Sequence, residues 1–403
     1  MTTTTEKPAV ASALETSDRV ASHLHPEPSY EISDHPVPTG LEEVWRFTPL
    51  KRLRGLHADA VFQPSTTECS WTGPEQARIA PVSGADAAPW RGVSGYIPTD
   101  RLSARIFAET DASLSIDIPA EAELDEPVVV TLKGTSAETT EAGHVAIRFG
   151  AHSSGTVVLL HEGSATLGHV VEVEVADGAR AVVVTVQDWA DDAVHVAHHS
   201  ARVGRDASLK HAAVSFGGDV VRLAVDVNYQ GQGGSAELFG LYFADAGQHL
   251  EHRLFVDHNQ PRTNSNVDYK GALQGDGAHS VWIGDVLIRK IAEGINTYES
   301  NKNLVLTDGA RADSVPNLEI ETGEIEGAGH ASTTGRFDDE QLFYLQSRGV
   351  SEIEARRLVV YGFFADIVKK IGVSQIESRL MEAIEAELAL HVGAASATEV
   401  DEI

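Results

Sequence analysis

Residues 156–186 read TVVLLHEGSATLGHVVEVEVADGARAVVVTV. Three β-like runs lie in this stretch, TVVLLHEG, VVEVEVA and RAVVVTV, each short and broken from the next by glycine or aspartate. VVEVEVA alternates apolar and acidic residues, the period of a strand with one buried face. The break before the last run is DGAR at 177–180, and the same turn returns as DGAH at 276–279 and DGAR at 308–311. Related Gly-rich turns fall at 204–208 and 231–235. Working outward, SLSIDI, PVVVTL and HVAIRF precede the stretch from about residue 100, and VVRLAVDV, HLEHRLFVDH, HSVWIGDVLI and NKNLVLTDG follow it. The repetition is weak but has roughly the period of stacked coils. Two architectures fit: an antiparallel sandwich, or a β-helix whose turns stack. Asn-Gly hairpin signals are missing, which favours the β-helix, though the pattern leaves both open.

The chain has 403 residues, enough for one large or two ordinary domains, and 42% hydrophobic content supports a substantial core. Thirty-one basic residues against 60 acidic ones give a formal charge of −29. Such a surface repels nucleic acid and anionic lipid, so neither is an expected partner, and solubility explains the charge. Cys69 is the single cysteine, which rules out a disulfide or a thiolate cluster within one chain. The N-terminus lacks the basic start and apolar run of a secretory signal, and no stretch approaches the ~20 apolar residues of a membrane span. A cytoplasmic location is expected.

Residues 1–37 are polar and read as a disordered tail, and 38–99 as a docking region concentrating Trp45, Phe47, Leu50 and Leu53. The β core is assigned to 100–337, a C-terminal helical domain to 338–392 and a flexible tail to 393–403. Asp338 can cap a helix beginning DEQLFYLQSR, and Gly349 stands where a left-handed C-terminal residue belongs. Ser351 and Glu354 form a capping box for a second helix, with Lys369 and Lys370 near its end and Gly372 closing it. Ser374 and Glu377 form another box, followed by an apolar stripe at Ile376, Leu380, Ile384 and Leu388.

Residues 299–321, ESNKNLVLTDGARADSVPNLEIE, followed by GHASTTGRFDDEQLFYLQSRGVSEIEARRLVVYGFFADIV, resemble the SufB/SufD family of iron–sulfur cluster assembly proteins. The motifs are NKNL, a DGA turn, P-x-LEI, a Gly/His stretch, D-x-x-QLFYL-x-SRG, and EAR with a GFF helix. VWRFTPLKRL and RLSARIFAETDASLSIDIPAEAELDEPVVV resemble it more loosely, so that most of residues 38–390 is covered. The resemblance implies a mainly β fold: a right-handed parallel β-helix core, a C-terminal α-helical domain and a partly helical or irregular N-terminal region. It is closer to the SufD type, because the SufB type carries several cysteines. What it implies further is a non-catalytic scaffold subunit of the SUF complex, with no cofactor bound alone. Its partners would be a SufB-like paralogue, met through the β-helix, and a SufC-like ATPase, met through the C-terminal helices; the isolated chain would pair with itself. Iron or the forming cluster would lie at the interface with the paralogue, where His330 matches the family's interface histidine. Many SufD sequences place a cysteine two residues earlier, and this chain has Ala328 there. Residues Arg356, Leu358, Phe363, Phe364 and Ile367 are the expected ATPase contacts.

A neutral imidazole suits iron or zinc, and the small neighbours of His330 let another chain approach closely. The competing reading is a histidine that merely caps a turn. His195 and His199 share one face if their segment is a strand, and His249 and His252 take opposite faces. Without a tight cluster these are read as surface or ladder histidines. The glycines of GQGGSAELFG precede a strand-like run rather than a helix, and no phosphate-binding GxxxxGK[ST] loop occurs, so any ATP is hydrolysed elsewhere. No GxSxG elbow or HExxH helix is present. The rivals are a SufB-type cluster scaffold, a β-helix carbohydrate-active enzyme, and a purely structural solenoid.

Overall fold

The computed structural model describes residues 22–337, 339–373, 377–378, 381–382 and 385. Two short strands, β1 (Glu68–Thr72) and β2 (Arg78–Ser83), and helix α1 (Arg101–Glu109) precede the core. The solenoid begins with β3 (Ala112–Ile118) and the long β4 (Val128–Phe149) and β5 (Ser154–Val175). Eleven shorter strands follow: β6 (Arg180–Trp189), β7 (Val194–Val203), β8 (Ser208–Ser215), β9 (Val220–Tyr229), β10 (Ser235–Ala244), β11 (His249–His258), β12 (Asn264–Leu273), β13 (His279–Ile288), β14 (Asn296–Val305), β15 (Arg311–Ile320) and β16 (Gly327–Arg336). Helices α2 (Asp339–Ser347) and α3 (Glu352–Ile371) close the described chain.

Strands alternate between two parallel walls. One runs β5-β7-β9-β11-β13-β15, the other β5-β6-β8-β10-β12-β14-β16, and β5 spans both. This is the parallel β-solenoid, of about eight turns, with a C-terminal helix, and the sandwich alternative is gone. The DGA turns show how the coil is made. Gly178, Gly277 and Gly309 have φ of 68°, 75° and 83°, a left-handed conformation that glycine adopts without strain, and each turn leads into a new strand.

Along each strand, alternate side chains enter the lumen, where Val183, Leu238, Val267, Val225 and Leu254 belong to one continuous core. The outward positions are also apolar wherever something covers them. On one wall, Val184, Val214, Phe239 and Leu241 pack beneath Phe364, Ile367 and Ile371 of α3. On the other, Val194, Val196 and Val220 pack beneath Trp45, Leu53, Tyr96 and Ile106. Two-sided burial explains why runs such as RAVVVTV are nearly unbroken rather than alternating.

Helix α3 begins and ends as its sequence indicates. Ser351 Oγ accepts from the Glu354 N–H (3.3 Å), although the Glu354 carboxylate turns to Arg357 rather than completing the box. Gly372 closes the helix at φ 68°, and Lys210 Nζ donates to the Lys370 carbonyl (2.9 Å) in the last turn. Lys270 with Asp366, and Lys370 with Asp268, form two ion pairs tying the helix to β12. The cap at Asp338, the second box at Ser374 and the stripe at Ile376, Leu380, Ile384 and Leu388 lie outside the described residues, as does 393–403.

Residues 22–37 correct the expectation of a loose tail reaching residue 37. Leu24 is buried, His23 Nε2 lies 3.2 Å from Asp285 and His25 Nε2 lies 2.8 Å from Glu319. The two histidines find carboxylates on successive strands, β13 and β15, a pairing invisible until the coil stacks them. Among the described residues no helix is long and apolar enough to cross a membrane.

Candidate functional site

The two ends of the solenoid differ. At the first, β1 pairs antiparallel with β4 and β2 with β3, so the edge is closed by the chain itself. At the other, β15 and β16 terminate the strand order, each paired on one side only among the described residues. Pro316, which removes a backbone donor, is tolerated in β15 because this is an edge strand.

His330 lies on this open end. The register of β16 sets it beside Glu299, in the inward column that continues through Val267, Leu238 and His211. His330 therefore points at the mouth of the lumen, 43% exposed, while Glu299 beneath it is 2% exposed. The gap between His330 Nδ1 and Glu299 Oε1 is 3.8 Å, too long for a hydrogen bond. Both Glu299 oxygens lack a hydrogen-bond partner. Burial, with the nearby Asp285 charge, pushes the Glu299 carboxyl up to about 8, so it is mainly protonated at neutral pH. Ser332 Oγ donates to Ser314 Oγ (2.8 Å), bridging the two walls at the rim.

Behind the rim, strand alternation turns both asparagines of NKNL inward. Asn303 Nδ2 donates to Asn301 Oδ1 (2.7 Å), Asn301 Nδ2 to Tyr242 Oη (2.9 Å), and Tyr242 Oη to Asn303 Oδ1 (2.6 Å). This closed network fixes the layer on which the last turn is laid. Lys302, between the asparagines, is exposed on the outer surface. Ala328 packs against the core edge, and Cys69 is an exposed free thiol on β1, paired to β4 at the closed end.

The expected ATPase contacts divide. Phe364 and Ile367 are fully buried against the solenoid, so they hold α3 in place and are unavailable to a partner; this corrects their assignment. Phe363 is partly buried beneath Lys270, and Arg356 bonds Glu352 and stacks on Phe337. Leu358 is exposed, and so are Phe343, Tyr344 and Tyr361, three aromatics of α2 and α3 that sequence reasoning did not single out. A cavity of about 730 Å³ also lies where residues 23–28 and 94–100 cross the outer wall, lined by His23, Tyr96, His198, Arg253 and Asp285 among others. Several of its charges answer one another: His198 meets Asp226 at 2.7 Å and Arg289 meets Asp257 at 2.7 Å.

A family model described as "SUF system FeS cluster assembly, SufBD core domain" matches residues 131–363, from β4 into α3. The chain belongs to the SufBD family. Among SufBD relatives, an iron–sulfur cluster assembly SufBD family protein of Mycobacterium bovis is 51% identical over 366 residues, covering 89% of this chain and 91% of the relative. One from Mycobacterium leprae is 48% identical over 373 residues, covering 90% and 93%. The iron–sulfur cluster assembly protein SufD of Escherichia coli is 23% identical over 394 residues, covering 86% and 88%. SufBD membership removes the carbohydrate-active enzyme as a reading and makes this an iron–sulfur cluster assembly protein, distantly related to SufD.

Proposed function

We propose that this SufBD protein is a SufD-type scaffold, not itself an enzyme, that pairs end to end with a cysteine-bearing SufB-like paralogue and carries a SufC-like ATPase on its C-terminal helices. The observation that carries the reading is the end of the solenoid where, among the described residues, two half-paired strands lie beside His330 and the buried Glu299. A sister solenoid stacked there would bury the rim and bring its own ligands to His330. Iron or a forming cluster is then cargo held between two chains. A cation at His330 would favour the ionised form of Glu299, so loading would release a proton and add a carboxylate to the ligand set. The single cysteine, exposed on β1, disfavours the SufB-type alternative because one chain cannot supply several thiolates.

For the ATPase, the exposed Phe343, Tyr344, Leu358 and Tyr361 supply an apolar surface of the kind that docks in a groove. Nucleotide-driven dimerisation of that subunit would pull on α3 and, through its ion pairs to β12, on the wall that ends in β16. The test is co-expression with the two partners. His330→Ala should purify as the intact complex yet lose the visible absorption of the assembled cluster. Normal cluster formation in that variant overturns the role of His330, and failure of the chain to join any cysteine-bearing paralogue overturns the whole reading.

A further inference from the structure

We propose that the lumen holds a second, independent site: a mononuclear centre for a borderline divalent cation, zinc or ferrous iron, formed by His161, His169 and His195. One ligand nitrogen from each of the three lies within 4.8 Å of the others. The rings are tilted or edge-on to one another, with centroids 5.0 Å apart for His161 and His195, and 5.8 Å for the other two pairs. All three side chains are buried, and each keeps one nitrogen without a hydrogen-bond partner: Nε2 of His161, Nδ1 of His169 and Nε2 of His195.

The surrounding groups decide where the protons sit. Trp189 Nε1 can only donate, and it donates to Gln187 Oε1 at 2.9 Å, which fixes the orientation of that amide. The same oxygen therefore accepts from His195 Nδ1–H at 2.7 Å, leaving the lone pair of His195 on Nε2. The Val186 carbonyl can only accept, and at 3.2 Å it takes the proton of His161 Nδ1, leaving that lone pair on Nε2 too. Gln187 Nε2 gives one of its two hydrogens to Thr185 Oγ1 at 2.8 Å and stands 3.3 Å from His161 Nδ1, a slightly longer approach than that of the Val186 carbonyl. An imidazole whose far N–H is held by a carbonyl oxygen is the arrangement that orients metal-binding histidines and strengthens them as donors. Burial lowers the basicity of all three, His161 to about 4, so none needs to lose a proton before binding.

Three neutral nitrogens with one coordination position left open suit zinc or ferrous iron. No carboxylate belongs to the trio, so a bound hydroxide or other small anion would complete the coordination and offset charge. The Trp189 ring, 5.3 Å from His195 and 5.4 Å from His161, forms one wall and provides an optical reporter. Because the site is enclosed, the ion would be taken up as the chain folds.

The test uses the full chain expressed with cobalt as the probe ion, in a background carrying His25→Ala and His330→Ala to remove the half-buried and the exposed imidazole at the solenoid's open end. The proposal expects one cobalt per chain after dialysis, tetrahedral ligand-field absorption, and quenched tryptophan emission. His169→Gln and His195→Gln should each lower occupancy at least tenfold, and Gln187→Leu should weaken binding about 10–100-fold while leaving all three ligands in place. Zinc and iron supplementation, read by elemental analysis, distinguish the two natural candidates. A folded chain that retains no metal, or retention unchanged in all three variants, overturns the site. Either result leaves the His330 reading standing, because that residue is absent throughout.

Discussion

At the scale of single residues, Glu299 makes the open end sensitive to pH. Its carboxyl is raised from the ordinary 4.5 to about 8 in the folded chain. Between those values the native state holds a proton that the unfolded chain has released. Stability is therefore fully present below about pH 4.5 and falls as pH rises toward 8, by at most about 1.4 kcal/mol per pH unit. Glu299→Gln has no proton to lose. It should match the parent near pH 5 and exceed it above pH 8 in denaturant midpoints; parallel pH profiles for the two proteins would refute the assignment. Sequence showed His330 but not this partner, since Glu299 meets it only through the register of β14 and β16. The lumen histidines were missed for a related reason. Alternation did place His195 and His199 on one face, but whether that face looks inward depends on Ala197, Ala201 and Val203 belonging to the same column. Those three small apolar neighbours were the available signal. Their convergence with His161 and His169 was not readable, because β5 contributes the latter two to opposite walls.

Among the elements, α3 separates packing from recognition. Its strand-side face carries Phe364 and Ile367, fully buried, while Leu358 and Tyr361 are exposed. Phe364→Ala leaves a cavity worth about 3–5 kcal/mol in a tightly packed site, more than a docked helix of this length can readily spare. Amide hydrogen exchange should then quicken across Glu352–Ile371 while the solenoid strands stay protected. If the proposed ATPase docking holds, Leu358→Asp should leave exchange unchanged and abolish co-purification with the ATPase, and truncation after Gly349, which removes α3, should abolish co-purification too. Retained ATPase binding in Leu358→Asp would place the contact elsewhere. The caps of α3 were legible from Ser351 and Gly372, since capping is chemistry local to a few residues. Which face lies on the solenoid was not, because α3 carries apolar residues on its exposed surface, Leu358 and Tyr361, as well as on its buried one. Gly240 and Gly271 show a similar limit. Each faces a tyrosine ring on the adjoining strand, Tyr269 and Tyr242, and an added methyl would overlap it. In the sequence they look like ordinary strand interruptions.

For the molecule as a whole, repeated glycine turns and missing hairpin signals narrowed the fold to a sandwich or a β-helix, and the resemblance to the SufB/SufD family, not the pattern, chose the β-helix. The asymmetry of the ends was not legible, since it depends on β1 and β2 folding back on the first coil. That asymmetry has a consequence for the isolated chain. Among the described residues β15 and β16 are paired on one side only, and such an edge offers a template for another strand, which natural repeat proteins normally cap. A second copy could use the same edge, but each copy carries a formal charge of −29, so self-pairing works against repulsion. The isolated protein should therefore dimerise weakly, and more strongly as added salt screens that repulsion. Ser332→Lys, which sets an ammonium group in the rim, should leave it monomeric in sedimentation velocity, whereas Glu237→Gln, an equal change in charge at an exposed side chain of the mostly buried β10, should not. If Ser332→Lys dimerises like the parent, the contact lies away from the solenoid mouth. If the parent stays monomeric at all salt concentrations, the expected self-pairing through β15 and β16 is refuted.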